Sequence, residues 1–547
     1  MIFSESKNYN QSKKKYPLNW RMWHRWAGLV LSVMIMLFCA SGIVMNHRKT
    51  FTSCEVSRSW LPESYHIKDW NQGILKGMLD VEGERLGRTD SVTRIIYGQF
   101  GLWLTDTQYQ QCEDFNRGIA AGIDNRKISN LVETGDRRLW CAGLYNAYTY
   151  NNIKGEWETV ILPGNEERVS DIAVRGQDTV IVMTRSRIYQ AVAPSYCFSP
   201  CILVTPEGYE PKVTLFKTIW MLHSGDLFGL AGRLVVDALG VILIILCLTG
   251  IIFFVARIDL KRLSDHSKSD KKGVPFGHTQ ADARTSIKRH TCCMKWSMKW
   301  HKRLGVWTIL LTLILSVTGM CLRPPLMIPL ALTQVSPLPG STLADKNVFH
   351  DKLRAIRWDD RLNQWLLSTS EGFYLLDDLK DGKPKAIAPD KAPVVSPMGV
   401  NVFCRDGKDW LIGSFSGLFR WNIGAGSVTD YFTGEAYRQL TGRPVGTHAV
   451  TGIAESPKGE KVVFEYNNEP NKPMPPMPSK LVAQPMSLWN FALELHVGRC
   501  YEPFLGSVFS VLYVFIAGLL LTLILLSGYI VYKRTNNQSN NLKTKQL

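Results

Sequence analysis

The sequence predicts a membrane protein with four transmembrane α-helices in two parallel pseudo-repeats, carrying a large extracytoplasmic all-β, propeller-like domain. Three observations support this fold class. Four long apolar blocks are spread along the chain, short motifs recur at a nearly constant offset, and aromatic or β-branched runs separated by glycine turns fill the segments between the blocks. With 547 residues the chain is too long for one ordinary domain, so several units are expected.

The four apolar blocks are each long enough to cross a bilayer. A hydrocarbon core of roughly 30 Å needs about 20 helical residues at about 1.5 Å per residue. The first block lacks a good cleavage site for a signal peptide, so we expect it to remain as a span. The predicted spans are Trp26–Val44, Leu234–Ala256, Leu304–Leu322 and Ser507–Tyr532.

The net charge of +17 is concentrated in three segments rather than spread along the chain. Lysine and arginine crowd before the first span, between the second and third spans, and after the fourth. Because four spans put these segments on one side, the positive-inside rule makes that side cytoplasmic. The basic excess is therefore read as a topology signal and not as a nucleic-acid surface. This places both termini in the cytoplasm and the two long intervening segments outside it.

These assignments divide the chain into nine parts. They are a basic cytoplasmic N-terminus (1–22), helix 1 (23–47), the first half of the β-domain (48–217), helix 2 with an outer extension (218–257), a basic cytoplasmic linker (258–299), helix 3 (300–323), the second half of the β-domain (324–490), helix 4 with an outer extension (491–533) and a cytoplasmic tail (534–547).

The cysteines agree with this topology but do not define a metal site. Seven of the twelve fall in the two outer segments, where disulfides are permitted, and Cys197 with Cys201 forms a local candidate pair. Cys292 and Cys293 lie in the cytoplasmic linker and are expected to be reduced. Neither pair has partners at zinc-like spacing.

An internal repeat relates the two halves of the membrane part. Trp23–Arg25 matches Trp300–Lys302 at an offset of 277 residues, and the same offset aligns two further glycine pairs. In the second helices His223 aligns with His496, and Gly225 with Gly498. Since both halves begin and end on the cytoplasmic side, we expect parallel repeats related by a pseudo-twofold axis along the membrane normal. The two glycine pairs are Gly28 with Gly305 and Gly42 with Gly319.

The outer segments show a β-rich pattern that recurs at blade-like intervals of about 40 residues. Stretches such as "GLWLTDTQ" and "KDWLIGSFSGLFRWN" combine a short aromatic or β-branched run, a glycine turn and a second run. We expect about three blades from each half, which either close together into one propeller or form two separate β-domains.

Five of the eleven histidines lie at the ends of the predicted spans. His24 and His301 lie at the inner edge, and His47, His223 and His496 on the outer side. A single interfacial histidine is usually only solvated, but the pseudo-twofold brings equivalent positions toward a common axis. His24 then faces His301, and His223 faces His496.

Two opposed imidazoles supply the axial ligands of a six-coordinate b-type haem. The pattern therefore predicts one or two haem b groups, with haem iron bound by His24 and His301, by His223 and His496, or by both pairs. Arg25, Lys302 and Arg233 are placed to pair with haem propionates. His47 aligns with Pro324 and so has no partner in the repeat; it either ends the first helix or is an alternative outer ligand.

The spacing of the histidines raises a difficulty for two haems. His24 and His47 are 23 residues apart, or about 34 Å along a helix. His223 precedes Leu234 by eleven residues, so it is expected at or above the outer headgroups. Three alternatives would resolve this distance. Either the helices tilt so that the two haem sites lie closer together, or an intermediate electron carrier lies between them, or only one histidine pair binds haem.

The membrane motifs resemble those of the PepSY-associated transmembrane family. "WHRWAGLVLSV" followed by "ASGIV" is similar to its first-helix signature, and "LHSGDLFGLAGRLVVDALGVILIILCLTGI" to its second helix. The resemblance implies a bacterial inner membrane protein linked to iron acquisition, since some members are haem-containing reductases that release iron from ferric siderophores. It also implies a haem-ligand role for His24, His223, His301 and His496. The outer segments depart from the family, because no small PepSY α/β domains are visible there.

The sequence contains no P-loop and no dinucleotide fingerprint, so reducing equivalents are expected from elsewhere, either a quinol or a cytoplasmic reductase. The predicted function is electron transfer to ferric iron or a ferric siderophore outside the cytoplasm, an oxidoreductase activity that requires no general acid or base. The alternative is a non-enzymatic, membrane-anchored propeller-type binding or sensor protein. A transporter has little support, because the spans are few and nearly free of charge.

Overall fold

The computed structural model describes residues 19–89, 92–164, 167–270, 280–394, 396, 398–437, 446–466 and 468–544. These residues form two compact units. The helical unit falls within Met1–Asn46, Lys212–Leu343 and Ala492–Leu547, and the β-rich unit within His47–Pro211 and Ala344–Phe491. Residues 1–18, 271–279 and 545–547, parts of the predicted cytoplasmic segments, lie outside the described residues.

Four of the described helices are long and apolar enough to cross a membrane, as predicted. They are α1 (Trp20–Asn46), α3 (Gly229–Asp270), α4 (Gln280–Cys321) and α9 (Ser507–Thr544). The helices α3 and α4 extend well beyond the predicted spans into the segment 258–299, which was expected to be a linker. The α-helices are α1 (Trp20–Asn46), α2 (Leu215–Ser224), α3 (Gly229–Asp270), α4 (Gln280–Cys321), α5 (Met327–Leu332), α6 (Ser479–Val482), α7 (Leu488–His496), α8 (Glu502–Leu505) and α9 (Ser507–Thr544).

The four long helices pack as a bundle in which α1 and α4 each contact both α3 and α9. Aliphatic side chains such as Ile35 and Leu243 fill its centre. Hydroxyl-bearing and small residues line the contacts, which lets the helix backbones approach closely within lipid. For example, Ser316 Oγ of α4 donates a hydrogen bond to the Gly518 carbonyl of α9 at 2.9 Å.

A sharp break separates α2 from α3, and an equivalent break follows α7. Gly225 and Gly498 adopt the left-handed conformation at these breaks, with φ of +84° and +81°. A Cβ on Gly225 would lie 2.3 Å from the Gly232 carbonyl oxygen, so no other residue fits this turn without a shift. The predicted outer extensions are thus separate short helices. One ends one residue after His223, and the other ends at His496 itself.

Among its described residues the β-rich unit contains six antiparallel sheets, three from each half of the chain, as the repeat pattern predicted. Two short pairs lie outside these sheets: β1 (Glu55–Val56) with β26 (Met486–Ser487), and β14 (Val213–Thr214) with β15 (Gln334–Val335) in the helical unit. In chain order the first three sheets comprise β2 (Leu75–Glu82), β3 (Val92–Gly98), β4 (Gly101–Thr105) and β5 (Cys112–Asp114); β6 (Asn130–Glu133), β7 (Leu139–Ala142), β8 (Ala147–Asn151) and β9 (Glu156–Thr159); and β10 (Val169–Arg175), β11 (Thr179–Thr184), β12 (Ile188–Val192) and β13 (Ser199–Cys201).

The second half of the chain supplies the remaining three sheets. The fourth and fifth have four strands each, and the sixth is a two-stranded hairpin among the described residues. They comprise β16 (Leu353–Asp359), β17 (Gln364–Thr369), β18 (Phe373–Leu376) and β19 (Lys385–Ala386); β20 (Val402–Asp406), β21 (Asp409–Ser414), β22 (Gly417–Asn422) and β23 (Ser427–Asp430); and β24 (Val450–Glu455) with β25 (Lys461–Glu465).

Hydrogen bonds join each sheet to the next, and the sixth sheet to the first. The alternative of two separate β-domains is therefore wrong, because strands from both halves share one unit; closure into a propeller stays a prediction. The bonds run, in order, from Tyr97 to Asn130, Asn130 to the Ile172 carbonyl, the Ile356 amide to Asp171, Arg357 to the Phe403 carbonyl, Asn401 to the Val450 carbonyl, and Arg94 to the Glu455 carbonyl.

Large aromatic side chains fill the spaces between these sheets. Trp140, Trp157, Trp365 and Trp421 are all fully buried.

All twelve cysteines are unpaired in the structure, so the candidate Cys197–Cys201 disulfide is not formed.

Asp124 forms a buried ion pair in the β-rich unit, and its side chain has no exposed surface. Both of its oxygens accept from Arg48 at 2.7 Å, and Lys127 Nζ lies 2.6 Å away. Burial by itself raises the pKa of Asp124, but the hydrogen bonds from Arg48 and the charge of Lys127 outweigh it and lower the pKa to about 2.

We expect Asp124→Asn to destabilise the β-rich unit by about 3 kcal/mol at pH 7, because it leaves two mostly buried cations without their carboxylate. A carboxyl group whose pKa is lower in the folded state than in the unfolded state stabilises the fold fully at pH values above the unfolded-state pKa. This stabilisation is lost as the pH falls through the folded-state pKa. The contribution of about 2 kcal/mol from the lowered pKa should therefore disappear between about pH 4 and pH 2. Urea unfolding of both proteins at several pH values checks this; a free-energy gap that stays constant down to pH 2 would contradict it.

Candidate metal centre

The structure brings His24 of α1 next to His301 of α4, as the repeat predicted. The centroids of the two imidazole rings are 6.2 Å apart, and the ring planes are 75° from parallel. The two helices lie opposite each other in the bundle, since each contacts α3 and α9. This inner pair therefore spans the centre of the bundle.

The second predicted pair also meets. The ring centroids of His223 and His496 are 6.4 Å apart, with an angle of 65° between the planes. These histidines come from the short helices α2 and α7 rather than from the long spans. The outer pair thus has nearly the same geometry as the inner pair, although its histidines come from different elements.

All four histidines are held in the same way, by a Ser/Thr-Gly step on a neighbouring long helix. Each Nδ1 lies 3.0–3.2 Å from a hydroxyl oxygen and from a backbone carbonyl oxygen three residues earlier. The partners are Ser527 and Ile524 for His24, Thr249 and Leu246 for His301, Thr318 and Leu315 for His223, and Ser41 and Phe38 for His496.

These contacts fix which nitrogen carries the proton. A carbonyl oxygen can only accept, so Nδ1 must be the protonated nitrogen that donates to it. Each hydroxyl donates to a carbonyl of its own helix, as Ser41 does to Leu37 and Thr249 to Ile245 at 2.7 Å, and so it too accepts from Nδ1. Across the described part of the chain, Nε2 of the four histidines makes no hydrogen bond. Nε2 therefore keeps its lone pair for a metal ion.

The glycine of each Ser/Thr-Gly step makes room for the imidazole ring. A Cβ built on Gly528 would lie 2.9 Å from Cε1 of His24, and one on Gly319 would lie 3.0 Å from Cε1 of His223. The corresponding distances are 3.5 Å for Gly42 to His496 and 3.7 Å for Gly250 to His301. The rings thus lie directly against helix backbone, where a larger side chain would displace them.

Sequence reasoning aligned Gly42 with Gly319 but did not assign these glycines or the adjacent hydroxyls a role. The signal was present, because Ser-Gly or Thr-Gly occurs once near an end of each span: Ser41-Gly42, Thr249-Gly250, Thr318-Gly319 and Ser527-Gly528. What the sequence did not reveal is which histidine each step receives.

The structure also shows which helix the outer pair lies against. His223 contacts Thr318, three residues before the end of the apolar helix Thr285–Cys321, and its depth relative to the outer headgroups stays a prediction. On α1 the inner ligand His24 and the step that holds His496, at Ser41, are 17 residues apart. This corresponds to about 26 Å along the helix, which is shorter than the 34 Å first expected.

The predicted propionate partners differ in their surroundings. The Nε atom of Arg25 is buried without a hydrogen-bond partner among the described residues, and so is that of Arg323 near the outer end of α4. Sequence reasoning missed Arg323. Arg233 Nε likewise makes no hydrogen bond among the described residues, although it lies within ion-pair distance of Asp226 Oδ1, at 3.1 Å. Lys302 is half-buried beside His301.

His47 begins the β-rich unit, where it precedes a short 3₁₀-helix, Arg48–Phe51. It is not part of the compact unit that contains the two pairs. Its role as an alternative outer ligand stays a prediction.

The donor set fits two six-coordinate iron sites. Two metal–imidazole bonds of about 2.0–2.1 Å on opposite sides of one ion place the ring centroids roughly 6.3–6.5 Å apart. The two pairs, at 6.2 and 6.4 Å, are close to this separation without a change of helix position. Protonated Nδ1 atoms bound to carbonyls, and buried guanidinium nitrogens without partners, are what a haem with two propionates requires.

Thr249→Val tests the role of the hydroxyls with little change in side-chain shape. It removes one of the two acceptors of His301 Nδ1, so we expect haem at the inner pair to bind about tenfold more weakly. Thr312→Val is the matched control, because the buried Thr312 hydroxyl bonds only to its own helix. Haem titration of both variants after partial extraction measures the effect; equal affinities would contradict it.

Comparison with known proteins supports the membrane part of the chain alone. Residues 7–257 match the model of the PepSY-associated TM region. No curated protein matches the sequence significantly. Solved structures with some likeness include the extracellular domain assigned to a hybrid two-component system of B. thetaiotaomicron, at 12% identity and a TM-score of 0.33, covering 75% of this chain and 34% of that one.

A second solved structure is the GH74 enzyme of Niastella koreensis, at 9% identity and a TM-score of 0.24, covering 71% of this chain and 46% of that one. The chain therefore spans about a third to a half of the length of these proteins, and at such scores the likenesses carry no functional argument. The resemblance read from the membrane motifs is confirmed by the match of residues 7–257 to the model of the PepSY-associated TM region.

Proposed function

We propose that this protein is a haem-containing membrane oxidoreductase that transfers electrons to ferric iron or a ferric siderophore outside the cytoplasm. The observation that carries the proposal is the pair of matched sites, with ring centroids 6.2 and 6.4 Å apart and every Nδ1 hydrogen-bonded to a backbone carbonyl.

The residues of the chain would hold one haem b at each pair. Nε2 of His24 and His301 would bind the inner iron, and Nε2 of His223 and His496 the outer iron. When bound, the two haems supply one-electron redox chemistry at both ends of the bundle. The serine and threonine hydroxyls and the carbonyls keep each imidazole in one tautomer and orientation, and the apolar bundle core excludes water from the space between the sites.

The basic segments support an inner pair on the cytoplasmic side and an outer pair toward the extracytoplasmic space of a bacterial inner membrane. In that orientation electrons enter from a quinol or a cytoplasmic reductase and leave toward the extracytoplasmic space. Reduction of the substrate to Fe(II) weakens its binding by hard oxygen ligands, so electron transfer alone releases the metal.

We further propose that the six sheets of the β-rich unit form one propeller. The hydrogen bond from Arg94 of the first sheet to the Glu455 carbonyl of the sixth supports closure of the ring. A cryo-EM map of the purified chain tests this; a gap between these two sheets would overturn it.

The difference spectrum of dithionite-reduced minus oxidised protein tests the main proposal. We expect low-spin b-type bands from detergent-purified protein, at about two haems per chain. The reduced protein should then be reoxidised by a ferric siderophore under anaerobic conditions. No Soret band, from cells supplied with ample haem, would overturn the proposal and favour the alternative of a membrane-anchored binding or sensor protein.

A further inference from the structure

The part of α4 that precedes the predicted third span carries a groove of about 460 Å³. Three lysines, a tryptophan and two small residues line this α4 groove, and none of them is acidic. The lysines recur at spacings of seven and four residues, so their side chains share one face of the helix. The lining residues are Lys288, Thr291, Cys292, Lys295, Trp296 and Lys299.

The opposite face of the same segment packs against α3. The buried Ser297 Oγ donates a hydrogen bond to the Thr249 carbonyl of α3 at 2.6 Å, and His290 Nδ1 lies 3.9 Å from Asp259 Oδ2. His301 follows on the packed side, because it comes four residues after Ser297. One face of the segment is therefore fixed against its neighbour, and the α4 groove lies outside that contact.

The positive charge of the groove is not balanced within the helical unit. The ammonium groups of Lys288, Lys295 and Lys299 form no hydrogen bond or ion pair with the part of the chain that the structure describes. All three side chains are exposed. With three lysines and no acidic residue, the groove carries a charge of +3 that an acidic surface would complement.

The distance of the groove from the predicted span argues against a lipid headgroup as its occupant. The predicted span begins at Leu304, so Trp296 lies eight residues and about 12 Å before it, and Lys288 about 24 Å before it. The headgroup layer is only about 5–8 Å thick on each side of the hydrocarbon core. A helix tilt of about 20° shortens these distances by less than a tenth. Most of the groove is therefore expected in water.

Trp296 makes the groove typical of a protein interface. Its side chain is 56% exposed between the lysines. Tryptophans often contribute much of the binding energy at such interfaces, while charged residues around them guide the partner during approach. Trp296 also precedes His301 by five residues, or about 7.5 Å along the helix. A protein bound in the groove would be separated from the inner pair by roughly the width of one helix, about 10 Å.

We propose that the α4 groove docks an acidic, soluble electron-carrier protein that reduces the inner site. This inference rests on the proposed function, and it selects a cytoplasmic protein over a quinol as the electron donor. The carrier loses one electron and Fe(III) at the inner pair gains it, and no proton or other atom is transferred. The three lysines orient the carrier through its carboxylates, and Trp296 packs against the centre of the carrier's docking face.

Binding of two acidic carriers, a plant-type ferredoxin and a flavodoxin, to the full chain in detergent tests the docking surface independently of haem. Cytochrome c, a basic carrier, is the control. We expect at least one acidic carrier to bind at low salt and cytochrome c not to bind. The affinity should fall about tenfold or more between about 20 and 300 mM salt, because the attraction is electrostatic. Binding of neither acidic carrier up to about 100 µM would overturn the proposal.

Charge variants connect the binding to the groove. Replacing the three groove lysines should weaken binding about tenfold or more, whereas removing an equal charge from exposed residues of α3 should weaken it less than about threefold. Equal losses in the two triple variants would overturn the groove as the binding site. The groove variant is Lys288→Gln, Lys295→Gln and Lys299→Gln, and the control is Arg257→Gln, Lys261→Gln and Arg262→Gln.

Trp296→Ala tests the apolar part of the contact. We expect it to weaken binding about tenfold or more at both low and high salt. Trp307→Ala is the matched control, because Trp307 is 65% exposed on the same helix but lies within the predicted span, where a soluble protein does not reach it. Equal affinities of the two tryptophan variants would overturn the role of Trp296.

Reduction kinetics separate this inference from the proposed function. In protein that shows b-type bands with dithionite, the reduced carrier should transfer electrons to the groove variant about tenfold more slowly than to the native chain, while dithionite reduces both equally. Equal rates with the carrier would overturn the groove and leave the haem proposal intact. Carrier binding without any b-type bands would overturn the proposed function alone. Loss of co-purified anionic phospholipid from the groove variant, with no carrier bound, would identify a lipid site and overturn the inference.

Discussion

We expect His24→Ala to remove one of the two haems and to abolish electron transfer through the bundle. The variant deletes one axial ligand of the inner pair, and no other described imidazole lies within ring contact of His301 to replace it. Haem content should fall from about two to about one per chain, with the outer pair unaffected. Pyridine haemochrome assay and the reduced-minus-oxidised spectrum measure both quantities.

His301→Ala should give the same result, and the double variant should lose no more haem than either single one, because both ligands belong to one site. His290→Ala is the control, since His290 lies on α4 near Asp259 and outside both pairs. His223→Ala should instead remove the outer haem. Full haem content in His24→Ala would contradict the inner site, whereas loss of both haems in every variant would point to unfolding of the bundle.

We expect Gly528→Ala to reduce haem at the inner pair although it changes no ligand. The added Cβ would approach Cε1 of His24 to 2.9 Å, which is closer than a stable contact allows. The ring has little freedom to retreat, because its Nδ1 is hydrogen-bonded to the Ile524 carbonyl at 3.1 Å and to Ser527 at 3.0 Å. Substitution therefore either breaks these bonds or tilts the imidazole away from His301.

Gly28→Ala is the matched control for this prediction. Gly28 is also helical and lies in the same bundle, but a Cβ there would meet no atom within 4 Å. We expect haem content and the α-band position to change in Gly528→Ala and to stay as in the native protein in Gly28→Ala. If the spectra of both variants are unchanged, haem binding at the inner pair does not depend on the close contact between Gly528 and the His24 ring.

Part of this architecture could be predicted because it depends on local sequence. A span is recognised from the length and hydropathy of one segment, and all four spans were found on that basis. The sequence also predicted that His24 faces His301 and that His223 faces His496. The two members of each pair occupy equivalent positions in the two repeats, and a pseudo-twofold axis brings equivalent positions together. Likewise, alternating aromatic and glycine-rich runs predicted three sheets from each half.

Other features depended on contacts between distant segments, which a single sequence does not specify. The neighbours of the outer pair were not predicted, because His223 was treated as an extension of the second span. In the structure Gly225 turns the chain, with φ of +84°, and α2 is held beside Thr318. The pairing of the first sheet with the sixth likewise joins strands that lie on opposite sides of two membrane spans in the sequence.

The sequence by itself determined that this protein has four helices long and apolar enough to cross a membrane and that it carries two symmetry-related histidine pairs, because hydropathy and repetition are properties of the chain alone. Only the tertiary structure decided which nitrogen of each imidazole is left for a metal. That choice depends on a hydroxyl and a carbonyl from another helix, as Thr249 and Leu246 provide for His301. A hydrogen bond between two helices exists only after the helices have packed.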